Sequence, residues 1–227
     1  MDAEPIAATG ERRNPAKGWD ALIITDFVLV GLLLIGGLIA YFEGIEGGEI
    51  SKSALALNMA INLAIFGLIP LAWVWKTRVD WDNIKAYFQT GPAEGVIWGV
   101  GLGMVCVIGM AALLATLQAL GLNLEAPGNE AIAEAVDWKL ALLVAAVAGF
   151  SEEILFRGVL QNMIGVVPQA VLFGLAHAGA GHWVAMLATG LLGLLFGSLR
   201  SRIGLYGLMA AHFTYNLILF AIQLVYG

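Results

Sequence analysis

The chain has 227 residues, 60% hydrophobic and 12% charged, with a formal net charge of −6 and a mean hydropathy of +0.86. Soluble domains carry about 45–50% apolar and about 25% charged residues. The composition therefore excludes a water-soluble globule, which needs polar residues over its outside, and makes lipid the solvent for much of this surface. The length is that of one domain, and the single cysteine, Cys106, excludes an intrachain disulfide.

Residues 1–20 are polar and are expected to form a cytoplasmic N-terminal segment, followed by one transmembrane domain over 21–227. The first apolar run is long and lacks a small-residue cleavage site, so it reads as a retained span. About 20 apolar residues cross ~30 Å of hydrocarbon. On that scale spans are predicted at 21–42, 53–75, 93–120 and 138–161, a short segment at 166–178, and spans at 182–199 and 203–226. Asp26, about one turn inside the first span, is expected to snorkel or cap. The acidic connector 121–137 contains Pro127, and a short surface helix capped by Asn129 is expected over 129–138. Gly165, Pro168, Gly179 and Gly181 bracket the short segment, as in a broken helix whose backbone must be satisfied by protein or a watery cavity. The fold class is thus all-α, a polytopic bundle of about seven to eight helices, with the short broken helix lining an intramembrane cavity.

Lys and Arg are distributed asymmetrically. Arg12, Arg13 and Lys17 precede the first span, Lys76, Arg78 and Lys85 follow the second, and Arg200 and Arg202 follow the sixth; the alternate loops hold only Lys52 and Lys139. The positive-inside rule then predicts a cytoplasmic N-terminus and an external C-terminus. Trp73, Trp75, Trp81 and Tyr87 cluster near one inner boundary, where aromatic rings prefer to sit.

Ionisable groups inside spans are costly and are usually functional. Here they are Glu152, Glu153, Arg157, His177 and His212, joined by the amide of Asn216. Glu153 and Arg157 stand at i and i+4 and can pair, either as a lock on helix packing or as part of a site. Glu152 lies ~100° around the helix and has no cation of its own, which suits general-base chemistry. His212 and Asn216 share one face of the last span. At ~1.5 Å per residue from the inferred cytoplasmic ends, Glu152 lies about 13 Å deep, His212 about 14 Å and His177 about 17 Å, so three segments deliver polar groups to one layer. His182 sits at a segment boundary and reads as interfacial.

Glu152, His177 and His212 are also a conceivable zinc ligand set. However, the His-Glu-x-x-His helix of zinc proteases is absent, and Arg157 and Asn216 are poor ligands. The metal-free reading is preferred. In it Glu152 and His177 orient and deprotonate a water, while His212 and Asn216 donate to the oxyanion formed when that water attacks a peptide carbonyl.

Glu-Glu-x-x-x-Arg, Phe-x-x-x-His and His-x-x-x-Asn, in that order within apolar segments from about Leu142 to Phe220, resemble the CAAX protease and bacteriocin-processing family (CPBP, or Abi), which includes the Rce1-type CAAX endopeptidases. The resemblance implies a helical membrane fold with a conical cavity open to the cytoplasm and a protease-like core at about 138–226. It assigns water activation to Glu152 and His177, the oxyanion site to His212 and Asn216, and support to Glu153 and Arg157. The expected function is an intramembrane endopeptidase acting on membrane-associated proteins or peptides among membrane lipids, in a prokaryotic inner membrane and with no nucleic-acid partner. The rival readings are a catalytically silent scaffold of the same fold and a proton-coupled transporter. Peptide maturation, bacteriocin immunity and cleavage of signalling proteins all remain open as roles.

Overall fold

The computed structural model describes residues 21–43, 51–77, 92–122, 135–178 and 183–226; among these there are helices and no strand. Residues 1–20, the basic residues Arg78 and Lys85, the aromatics Trp81 and Tyr87, most of the short helix expected over 129–138, and Gly179, Gly181 and His182 lie outside the described residues.

Helix α1 (Ala21–Glu43) buries Ile23, Asp26 and Val30 and exposes Val28, Leu32 and Ile35, the division expected of a helix with one protein-facing stripe and one lipid-facing side. Asp26 therefore neither snorkels nor caps. It sits on the buried stripe with 0% exposure, and neither carboxyl oxygen has a hydrogen-bond partner among the described residues.

Helix α2 covers residues 52–77. Ser51 caps it by accepting from the Ala54 N–H at 3.1 Å. Its middle, Leu63–Leu68, widens into a π-turn in which the Ile69 N–H reaches back to the Ala64 carbonyl. This distortion lies directly before Pro70, which has no N–H to give the regular ladder.

Helix α3 (Pro92–Ala119) opens with proline, whose missing donor is harmless in a first turn. It closes on Gly121 at φ 82, with the Leu122 N–H returning to the Leu117 carbonyl as in a Schellman cap. Helix α4 covers residues 138–164. Asp137 caps it by accepting from the N–H groups of Lys139 and Leu140, and Lys52 donates to Asp137 at 2.7 Å, tying together the starts of α2 and α4.

Gly165, at φ 90 and ψ 175, turns the chain from α4 into the ten-residue α5 (Val166–Leu175). The run Trp183–Tyr226 is divided by Gly204 at φ 70 and ψ 174 into α6 (183–203) and α7 (204–226). Only glycine adopts such angles readily. With this break the described residues supply the seven segments expected from the sequence.

Among the described residues, four stretches are long and apolar enough to cross a membrane, Ala21–Ile39, Lys52–Lys76, Ala93–Ala119 and Trp183–Tyr226. Helix α4 carries Lys139, Glu152, Glu153 and Arg157, a heavier load of charge than any of these four. Glycines set its distance from α7: a β-carbon on Gly149 would lie 2.9 Å from the Phe213 nitrogen. On the other flank of α7, a β-carbon on Gly99 of α3 would lie 2.0 Å from the Gly207 carbonyl oxygen. Such close approach replaces the hydrophobic driving force that lipid removes, and it holds His212 of α7 against α4.

Candidate active site

Four elements meet around the middle of α4, where residues Glu153–Leu160 form a second π-turn. Every residue from Ser151 to Leu160 is buried. Mid-helix π-turns are rare and concentrate at functional sites, because the extra residue changes which side chains share a face. At its start two adjacent carboxylates, Glu152 and Glu153, face the imidazole of His212.

Glu153 is 0% exposed. Its Oε1 accepts from Arg157 Nη1 at 2.9 Å and contacts His212 Nδ1 at 2.9 Å. A carboxylate facing a guanidinium is an acceptor, so Nδ1 of His212 carries the proton in that bond. The guanidinium of Arg157 is also fully buried, lying 4.2 Å over the ring of Phe173 on α5 and 5.5 Å from that of Phe196 on α6. Two aromatic faces thus complement a cation that has only one carboxylate bond.

Glu152 points elsewhere. Its Oε2 is buried and has no hydrogen-bond partner among the described residues. It faces His177 Nε2 at 4.0 Å and His212 Nε2 at 3.9 Å. His177, at the turn after α5, directs Nδ1 to the Phe173 carbonyl oxygen at 2.8 Å; the carbonyl can only accept, so Nδ1 donates, and in the tautomer this bond selects the Nε2 lone pair faces Glu152. The His177 side chain is 31% exposed, against 12% for Glu152 and 8% for His212, which makes it the open edge of the cluster. Asn216 stands one turn beyond His212 on α7 and is half-buried.

Five of the six sequence-predicted residues, all but Asn216, therefore form two linked groups. Glu153, Arg157 and His212 are directly bonded, and Glu152 lies within 4.0 Å of both histidines without bonding either. Sequence reasoning missed Phe196, which resembles any apolar residue, and Asn62 of α2, whose amide in an apolar run was a readable signal. Ser151, directly before Glu152, contacts both the Asn62 side-chain amide and the Val147 carbonyl. One hydroxyl proton serves only one acceptor, and the carbonyl cannot donate, so Ser151 donates to Val147 when the Asn62 amide is turned to donate to Ser151. Either way α2 is fastened to α4 one residue from Glu152.

Residues 134–218 match the family model described as Type II CAAX prenyl endopeptidase Rce1-like, a range that contains all the residues of this cluster except Asn62. No curated protein and no solved structure matches the chain.

Proposed function

We propose that the protein is an integral membrane peptidase in which Glu152 and His177 activate the water that cleaves the substrate, a reading supported by the match of residues 134–218 to the Rce1-like family model and by helices long and apolar enough to cross a membrane. The observation that carries this reading is the buried, unpartnered Glu152 Oε2, 4.0 Å from His177 Nε2. That gap is too long for a direct hydrogen bond, and it is spanned by one water making two bonds of about 2.8 Å at an angle of roughly 90°. Both facing atoms are acceptors, so such a water gives one proton to each and turns a lone pair outward toward a carbonyl carbon.

In this mechanism the water oxygen attacks the scissile carbonyl as its proton passes to Glu152. The carbonyl becomes an oxyanion, which accepts hydrogen bonds from His212 Nε2 and the Asn216 amide. Because Nδ1 of His212 already donates to Glu153, donation from Nε2 also means that His212 works as an imidazolium, held in place by the Glu153 carboxylate. Collapse of the tetrahedral intermediate breaks the C–N bond, and the proton on Glu152 goes to the leaving amine. Arg157 keeps Glu153 in the acceptor form throughout.

The same spacing supports the metal-free reading over a zinc site at Glu152, His177 and His212. Tetrahedral zinc ligands about 2.0–2.2 Å from the metal stand roughly 3.4 Å apart, closer than the 3.9 and 4.0 Å found. Membrane-associated proteins or peptides are the substrate class of the family, with maturation, immunity and signalling as the roles to distinguish.

Purified protein in nanodiscs, offered a pool of membrane-anchored peptides, tests these assignments. Wild type should cleave, His177→Ala and Asn216→Ala should lose most of kcat, and a zinc chelator should leave wild type active. Chelator-sensitive activity restored by zinc would overturn the metal-free mechanism. Unimpaired cleavage by His177→Ala would remove that residue from it.

A further inference from the structure

Beyond the catalytic cluster, buried polar side chains continue toward the turn between α4 and α5. On α4, Glu153, Arg157 and Gln161 follow at intervals of four residues; on α5, Gln169 lies four residues before Phe173 and eight before His177. Arg157 and Gln169 are both 0% exposed. Helix α6 meets them with backbone: Gln169 Nε2 donates to the Gly193 carbonyl at 3.0 Å and Gln161 Nε2 to the Gly197 carbonyl at 2.9 Å. A β-carbon on Gly197 would stand 2.7 Å from Gln169 Nε2 and 3.0 Å from Gln161 Oε1, so the two amide heads converge over that glycine.

Each step of this seam keeps polar atoms that no group among the described residues satisfies. Arg157 Nε and Nη2 are donors without acceptors, while Glu153 Oε2, Gln161 Oε1 and Gln169 Oε1 are acceptors without donors. Orphaned buried groups of both kinds, side by side, call for a molecule that donates and accepts. Internal water does this, typically with about three hydrogen bonds to such groups. The seam reaches the surface at Gln161, which is half-buried, and at the exposed Asn162, which accepts from Arg200 Nη1 at 2.8 Å.

We propose that the seam between α4, α5 and α6 holds a file of internal water and supplies the catalytic layer with the water consumed in each turnover. The supply role rests on the peptidase reading; the hydration of the seam does not. A hydrolase inside a membrane needs such a route. Hydrolysis takes up one water per peptide bond, and a substrate lying over Glu152 covers the open edge at His177. The seam approaches from the Arg157 side and stays clear of that edge.

Synchrotron X-ray footprinting of the full chain in nanodiscs tests both parts, because radiolysis of a held water oxidises the side chains beside it. Phe173 and Phe196, 3% and 2% exposed, flank Arg157 and should oxidise faster than Met110, which shares an apolar cluster with Phe196 but sits on α3, outside the three helices of the seam, and is chemically the more reactive side chain. Gly197→Ala, which pushes a methyl between the amides, and the near-isosteric pair Gln161→Met with Gln169→Met should each bring the two phenylalanines down to the Met110 rate. The same variants should lower kcat with KM unchanged. If Phe173 and Phe196 in wild type oxidise no faster than Met110, the seam is dry and the proposal fails, whether or not any variant folds. A drained seam with wild-type kcat overturns the supply role. A hydrated seam in a wild-type chain that cleaves no peptide overturns the peptidase reading and leaves the hydration standing.

Discussion

Arg157→Met separates the structural part of the cluster from its chemistry. In the native protein the guanidinium gives its one carboxylate bond to Glu153, and both side chains are 0% exposed. Truncating one partner of a buried pair leaves the other charge uncompensated and costs about 3–5 kcal/mol. For a chain of about 150–250 residues each kcal/mol moves Tm by about 2–4 °C, so Tm should fall by roughly 6–20 °C, read by tryptophan emission on heating in detergent or nanodiscs. Adding Glu153→Gln removes the stranded charge, and replacing a whole buried pair is often neutral or stabilising. Met also packs well against the ring of Phe173, so the double variant should regain most of the lost Tm. Its cleavage activity should stay low, because the introduced amide can still accept from His212 Nδ1 but cannot hold an imidazolium as a carboxylate does. A single variant as stable as wild type, or a double variant no better than the single, would refute the view of Glu153–Arg157 as a buried charge pair.

Three further outcomes follow from the fold. Asp26→Leu removes an unpartnered buried carboxyl and should raise Tm, since burying such a group without a hydrogen bond costs about 1–3 kcal/mol on mutational scales; a lower Tm in thermal melts would reveal a partner for Asp26. Gly204→Ala forces a β-carbon onto φ 70 and should lower stability by about 1–3 kcal/mol, whereas an unchanged melt would mean that the break between α6 and α7 is not held by that glycine. At the start of α4, the hydrogen bond from Lys52, aided by the Leu140 N–H, lowers the Asp137 pKa from 3.8 to about 2. A depressed folded-state pKa stabilises above the unfolded value and loses that contribution as pH falls from 3.8 through about 2. Thermal melts against pH should therefore show an acid-side decline that is weaker in Asp137→Asn, and identical curves would contradict the contact.

Much of the architecture was legible because lipid imposes strict rules. Long apolar runs gave the segments, and Gly165 marked the turn into the short α5. The ionisable residues stood out because nothing else in an apolar run tolerates them. What stayed hidden depends on packing. An ideal helical period places Glu152 and Glu153 ~100° apart, and nothing in Glu153–Leu160 announces the π-turn there or that both carboxylates face His212. The burial of Asp26 is not legible because the sequence of α1 is apolar on every side, so which stripe faces protein is decided by α2 and α4. Phe196 beside Arg157 and the glutamines that clamp α6 were equally silent, since cation–π contacts and bonds to backbone carbonyls leave no spacing pattern.

The central claim is that Glu152 takes the proton from the attacking water. Single-turnover cleavage of a membrane-anchored peptide by Glu152→Gln tests it most directly, because the amide keeps the shape of the side chain and cannot accept that proton. Cleavage should fall by about 10²–10⁴-fold, with peptide binding and Tm close to wild type. Cleavage at the wild-type rate would show that Glu152 is not the base.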